Sequence, residues 1–349
     1  MLTSKQEEAL FQWKNLLAES GLERVLSRDT GTEPPPLAGR FAVLARLFDE
    51  GLETERHDLR TCVPDELLLI LEALGLLNRV KNRVASPYRL VVHMGLWLFC
   101  EKVSPGARAY YGSDSFELSR MVLGAQGNVL DLCSGVGPQA LLAARTAARV
   151  TAVEIEPLAA ELFWINAAMN GLSDKVEMLT GDLLEPVAGR KFDMISCNPP
   201  FLPVPPGIRY PGFADGGSDG LAIVRRVMAG LPDALTPQGR CEVVGAVLGT
   251  SESPNLAAFK KMAAVSSLNI IVDCRTREEL EGKCLNQLAG MALEDNAESV
   301  ERSYRSHFMS LGATHLYCFL LHAVRAPTPT LCASYWDGQN TSFRVEPCP

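Results

Sequence analysis

The chain has 349 residues, 47% of them hydrophobic and 21% charged, with a formal net charge of −8. That balance suits a globular protein with a sizeable core and excludes a disordered, fibrous or collagen-like chain. Net acidity argues against phosphate-driven nucleic-acid binding over the whole surface, although Arg79, Lys81, Arg83 and Arg89 form a local basic cluster. The cysteines, Cys62, Cys100, Cys133, Cys197, Cys241, Cys274, Cys284, Cys318, Cys332 and Cys348, include no Cys-x-x-Cys pair. Most fall in apolar runs, so they read as free buried thiols of a reducing cytoplasm, with no metal centre. No apolar run is long enough to span a membrane and Met1–Glu8 lacks a signal core, so a cytoplasmic protein is expected.

In chain order, residues 1–105 read as a helical or winged-helix-like cap domain. Apolar residues at helical spacing run through Leu10, Trp13 and Leu17. A break at Thr32–Pro36 precedes a second helix from Leu37 to Phe48. A third runs from Pro64 to Leu74, opened by proline and acidic residues. Two β-type runs follow, Leu76–Val80 and Tyr88–His93, read as one ribbon.

Residues 106–349 change character. Strands at Asn128–Leu132, Val150–Val153, Val176–Leu179, Phe192–Cys197 and Arg240–Val247 alternate with helices at Pro138–Ala148, Pro157–Asn170 and Gly220–Ala234. This alternation predicts βαβ units and a Rossmann-like α/β fold. A further strand at Asn269–Cys274, a polar helical insertion near 277–310 and a strand at Thr314–Val324 complete the pattern.

Three motifs fall at strand ends. Asp131-Leu132-Cys133-Ser134-Gly135-Val136-Gly137 supplies small residues where a backbone turns sharply and approaches a ligand. Glu154, 23 residues further on, can accept two ribose hydroxyls, with Ile155 beside it. Asp182, next to Leu183, can bond an adenine amino group. The deciding motif is Asn198-Pro199-Pro200-Phe201. Its prolines fix φ and remove two donors, so the turn is stiff and holds the Asn198 carbonyl as an acceptor for a planar –NH2 group. Phe201 offers a face for stacking. Alignment then carries most of the acceleration, with no strong base required.

These segments, with Asn166–Leu172, resemble class I S-adenosylmethionine-dependent methyltransferases of the HemK type over roughly residues 108–250. The resemblance implies a seven-strand sheet whose last strand is inserted antiparallel. It implies that S-adenosyl-L-methionine lies against Asp131, Cys133, Ser134, Gly135, Gly137, Glu154, Ile155, Asp182, Leu183 and Asn198. Tyr111-Gly112-Ser113-Asp114-Ser115 resembles the segment that closes over the cofactor. Asp215–Leu221 resembles the Gly-Gly-x-Asp-Gly-Leu element after the catalytic turn. Three departures stand out: Cys133 replaces the usual first glycine, Glu154 stands where aspartate is also common, and Phe201 replaces the tyrosine frequent in glutamine-modifying members.

The resulting expectation is N-methylation, with Asn198, Pro199, Pro200 and Phe201 catalytic and Tyr111, Asp114, Phe201, Arg209 and Tyr210 binding the acceptor. A small metabolite or peptide-like natural product is read first as the acceptor, because of the acidic charge and Phe201. The alternatives are a protein glutamine, an exocyclic amine of RNA or DNA, and a winged-helix nucleic-acid binder that only senses the cofactor. The cap, the Pro203–Asp215 loop and the insertion are expected to shape the acceptor pocket. His307, His315 and His322 read as core or surface residues.

Overall fold

The computed structural model describes residues 2–26, 39–102, 104–336 and 341–347. The break at Thr32–Pro36 and the start of the helix expected from Leu37 lie outside them. Helix α1 (Ser4–Ser20) is capped by Thr3 in a reciprocal box with Gln6 and ends at Gly21, whose φ is 77°. It buries Leu10, Trp13 and Leu17. After α2 (Leu22–Leu26) come α3 (Ala42–Phe48), β1 (Thr54–Glu55), α4 (Arg56–Arg60), α5 (Asp65–Ala73), β2 (Asn78–Val80) and β3 (Arg83–Ala85). Strands β1, β3 and β2 form a small antiparallel sheet. The first part of the chain is thus helices followed by a small three-stranded sheet.

One expected pairing is different. The run Tyr88–His93, β4, pairs with β5 (Leu96–Glu101) in a separate hairpin, not with the residues near Leu76–Val80. The reason is local: Met94 and Gly95 both take positive φ and close a two-residue turn.

The rest builds on one large sheet. After α6 (Asp114–Val122), β6 (Asn128–Leu132), α7 (Pro138–Ala143), β7 (Arg149–Glu154), α8 (Pro157–Met169), β8 (Val176–Thr180) and β9 (Phe192–Cys197) alternate. There follow α9 (Ala222–Ala234), β10 (Leu235–Gly249), α10 (Ala257–Ser266), β11 (Leu268–Glu279), α11 (Gly282–Gly290), α12 (Ala297–Ser310), β12 (His315–Arg325), β13 (Thr330–Trp336) and β14 (Thr341–Pro347). The sheet order is β14-β13-β11-β12-β10-β9-β6-β7-β8. Strands β6 to β10 are parallel, and β12 lies antiparallel between β10 and β11. These seven form the Rossmann-like methyltransferase sheet. The sheet has nine strands in all, because β13 and β14 extend it past β11.

Helices α6, α7 and α8 cover one face, and α9 and α10 the other. The α9 side is lined by Val224, Met228, Leu231 and Phe259 over Ile195 and Val243. A second apolar cluster runs from Leu10, Trp13 and Phe48 of the N-terminal helices into Leu162, Ile165 and Met169 of α8. Strand order reverses between β6 and β9, so a crevice opens at the carboxyl ends of those strands, where ligands bind in open α/β sheets.

Candidate active site

A cleft of about 580 Å³ occupies that crevice. Its floor is the turn after β6, where Cys133, Gly135 and Gly137 take φ of 54°, 54° and 97°. Gly135 is uncrowded: the place a Cβ would occupy meets only the Tyr110 carbonyl oxygen, in ordinary contact at 3.8 Å. Asp131 does not line the cleft. It lies beneath the turn, 1% exposed, and accepts from Ser134 Oγ at 2.7 Å and Ser196 Oγ at 2.6 Å. Burial pushes its carboxyl up to about 6, against the hydrogen bonds from Ser196 and Ser134. Gly137 likewise shapes the turn from behind, because a Cβ there would meet the Phe163 ring at 2.6 Å.

Glu154 ends β7 with its carboxylate largely satisfied. Oε1 accepts from the Ile155 and Glu156 N–H groups at 2.8 and 2.9 Å, and Oε2 from Gly135 N–H at 2.7 Å. A carboxylate has about four acceptor positions, so one remains, on Oε2. The expected pair of ribose contacts is thereby reduced to one. Ile155, Asp182 and Leu183 form the neighbouring wall, and Asp182 accepts from Arg226 Nη2 at 2.7 Å.

At the other end, Asn198 Nδ2 donates to Asp114 Oδ2 at 2.6 Å and to Ser115 Oγ at 3.3 Å. Both amide hydrogens are therefore engaged, and only the carbonyl Oδ1 remains as a hydrogen-bonding atom. Burial pushes the Asp114 carboxyl above the usual range, while hydrogen bonds from Asn198 and Tyr110 pull the other way. Tyr110 donates to Asp114 Oδ1 at 3.3 Å, and its phenol is pushed up by burial and by Asp114. Tyr110 also stacks on Phe213, with centroids 4.7 Å apart and planes at 11°.

The family model Methyltransferase small domain matches residues 111–267. The chain is 41% identical over 242 residues to the ribosomal protein uL3 glutamine methyltransferase of Bradyrhizobium diazoefficiens, covering 61% of this chain and 73% of the relative. It is 30% identical over 238 residues to the release factor glutamine methyltransferase of Rhodospirillum rubrum, covering 63% and 70%. Among solved structures, Trm5b from Pyrococcus abyssi has a TM-score of 0.43 at 17% identity, covering 71% of this chain and 62% of that one. The chain belongs to the HemK-like class I methyltransferases.

This methyltransferase is S-adenosylmethionine-dependent, and three features of the cleft suit that group: the open backbone at Gly135, the remaining acceptor position on Glu154, and the apolar wall of Ile155 and Leu183. The Asn-Pro-Pro-Phe turn is braced from outside. Leu202 N–H donates to Ala214 O, Gly216 N–H to Leu202 O and Val204 N–H to Gly217 O, each at 2.9 Å.

Three residues expected in the acceptor site are elsewhere. Tyr111 turns away, its hydroxyl 2.7 Å from His93 Nδ1. Arg209 pairs with Glu294 at 3.2 Å and donates to Leu293 O. Tyr210 is buried and donates to Leu288 O at 2.9 Å. Arg209 and Tyr210 staple the proline-rich loop to the insertion because their long side chains find carbonyls there. No described residue of the first 105 lines the cleft, whereas Phe213 and Asp215 of the loop and Met291 of the insertion do. Sequence reasoning missed Phe213, Ser115, Gln139 and Arg226 as lining residues. Ser115 and Phe213 carried a signal, lying inside the Tyr-Gly-Ser-Asp-Ser segment and the Pro203–Asp215 loop. His307 meets Ser218 O and His322 meets Glu242, both away from the cleft.

Proposed function

We propose that the enzyme methylates the side-chain amide nitrogen of a glutamine in a protein, with residues 106–349 as the catalytic unit and residues 1–105 as a cap. The observation that carries this reading is the locked Asn198 amide. An acceptor-only carbonyl at a rigid turn complements a group that brings two N–H hydrogens in one plane, which a glutamine amide does. The named relatives act on uL3 and release-factor glutamines, which supports the protein-glutamine alternative over the small metabolite taken first from the sequence. Phe201 keeps the aromatic face of the tyrosine it replaces, so its stacking role survives the substitution.

When bound, S-adenosylmethionine supplies an electrophilic sulfonium methyl. Glu154 would hold a ribose hydroxyl, Asp182 the adenine amino group and Gly135 the amino-acid end. Asn198 Oδ1 would accept one N–H of the acceptor amide and fix its plane, with the Phe201 ring against it. Asp114 is not placed to act as base, because its two oxygens are held by Asn198 and Tyr110. Rate therefore comes mainly from alignment.

A nucleic-acid amine fits less well. Helix α5, the last helix before the ribbon, opens with Asp65 and Glu66. Of the basic residues near it, Arg83 pairs with Glu53 at 3.4 Å and Arg60 with Asp65 at 2.6 Å. Those pairings weaken the pull of Arg60 and Arg83 on phosphate.

The test is Asn198→Ala, with uL3 protein as the first acceptor and free glutamine as control. Calorimetry should show S-adenosylhomocysteine still bound, while methyl transfer to protein falls at least about 100-fold. Unchanged methylation would refute the role of Asn198. Transfer to free glutamine as fast as to protein would refute the protein acceptor.

A further inference from the structure

Cys133 is followed by a helix-forming turn and preceded by β6, and its φ of 54° is one that glycine adopts at lower cost. That backbone takes its side chain out of the alternation of β6 and onto the α9 side, where it packs against the cluster containing Cys197, Val224 and Met228. Leu132 lies opposite Cys197 in the β6–β9 register, so Cys133 stands one residue beyond that pair on the neighbouring strand. A one-residue stagger between adjacent strands separates Cα atoms by about 5–6 Å, within the span of a disulfide. Cys133 is partly exposed and lines the cleft, while Cys197 is buried and directly precedes Asn198. Arg226 lines the same wall.

We propose that Cys133 and Cys197 form a reversible thiol–disulfide site, whose oxidation by a hydroperoxide shuts off cofactor binding. The peroxide enters by the cleft. The Cys133 sulfur attacks one peroxide oxygen, the O–O bond breaks, and a sulfenic acid and one water form. The Cys197 sulfur then attacks the sulfenic sulfur; the S–S bond forms, the S–O bond breaks, and a second water leaves with the Cys197 proton. Two thiols lose two electrons and one hydrogen peroxide becomes two waters. The new bond ties the Cys133–Gly137 turn to the end of β9. It thereby disturbs both the Gly135 N–H contact with Glu154 and the position of Asn198.

The site depends on neither the glutamine reading nor the identity of the acceptor. The test treats the full chain with hydrogen peroxide and follows two readouts: peptide mapping by mass spectrometry, and S-adenosylhomocysteine affinity by calorimetry. Peptides containing Cys133 and Cys197 should be recovered linked, two hydrogens lighter than their sum. Affinity should fall at least about tenfold. Dithiothreitol should reverse both changes, and Cys197→Ala should give no linked species. The reduced wild-type chain tests the cofactor reading separately: no binding there counts against that reading, and the mapping still decides the disulfide. Linkage of Cys133 to a different cysteine, oxidation of Cys133 with no linkage, or a linked enzyme of unchanged affinity would overturn the proposal.

Discussion

Asp114 fixes which end of the Asn198 amide faces the cleft. Its carboxylate takes one Nδ2 hydrogen while Ser115 Oγ takes the other. Replacing Asp114 by Asn removes the preference, because the new amide pairs with either end of Asn198. We expect Asp114→Asn to lower kcat about 10- to 100-fold with S-adenosylhomocysteine affinity nearly unchanged. The wild-type pH profile should carry the same signature. Burial raises the Asp114 pKa above that of an exposed aspartate, and the ionised form is the one that accepts from Asn198. Turnover should therefore fall as pH drops through that raised value, and the acid limb should be missing in Asp114→Asn. Steady-state kinetics across the acid range decide it; an identical limb in both proteins would assign it to another group. At this scale the sequence was informative about residue type and poor about direction. Asn198, Glu154 and Asp182 all line the cleft, because strand ends aim their side chains there. Tyr111 and Tyr110 are adjacent and chemically alike, yet one faces His93 and the other the cleft. A loop has no period from which to read that choice.

At the scale of elements, the catalytic turn is rigid because another loop is pressed against it. Gly216 leaves no room for a side chain: a Cβ there would lie 2.6 Å from Phe201 Cα and 2.7 Å from the Gly220 carbonyl oxygen. Both neighbours are backbone, so neither yields without moving the turn. Gly216→Ala should therefore displace Phe201 and Asn198 together, cutting kcat/KM for the protein acceptor at least about tenfold. Thermal melting should shift by only a few degrees, since the loop is at the rim of the fold. A variant of normal activity would mean that the brace does not set the turn. The Asp215–Leu221 segment was recognisable in the sequence as a motif, but its partner was not, because contacts between loops leave no periodicity. The alternating strands of the parallel sheet were recognisable for the opposite reason: each buried strand is a compact apolar run bounded by turn residues. Strands β13 and β14 escaped that reading. In β14 the exposed Phe343 and Val345 alternate with Ser342 and Arg344 at an edge, a much weaker pattern.

Across the whole molecule, the cap is joined to α8 through two asparagines, one of which also reaches the glycine turn. Trp97 and Phe99 of β5 turn their N–H and C=O groups away from β4 and toward α8. Asn170 serves Trp97, accepting at 3.0 Å and donating at 2.8 Å. Asn166 serves Phe99, accepting at 2.7 Å and donating at 3.1 Å. Four residues of helix rise about 6 Å, and two residues of strand about 6.6 Å. The asparagines thus match the strand's repeat and stand in for a third strand. Asn166 alone also donates to the Val136 carbonyl at 2.9 Å, inside the glycine turn. Both asparagines were visible in the sequence, but their partners outside α8 lie 30 to 73 residues away and no local rule links them. Asn166→Ala would leave three buried backbone groups without a partner and should cost about 3–5 kcal/mol in urea unfolding. Because Val136 loses its donor, S-adenosylhomocysteine affinity should fall as well under conditions where the variant is still folded. Asn170→Ala should lose stability yet keep that affinity, since its bonds end at Trp97 and within α8. If both variants bind the ligand equally well, the cap is anchored to α8 without being coupled to the cofactor turn.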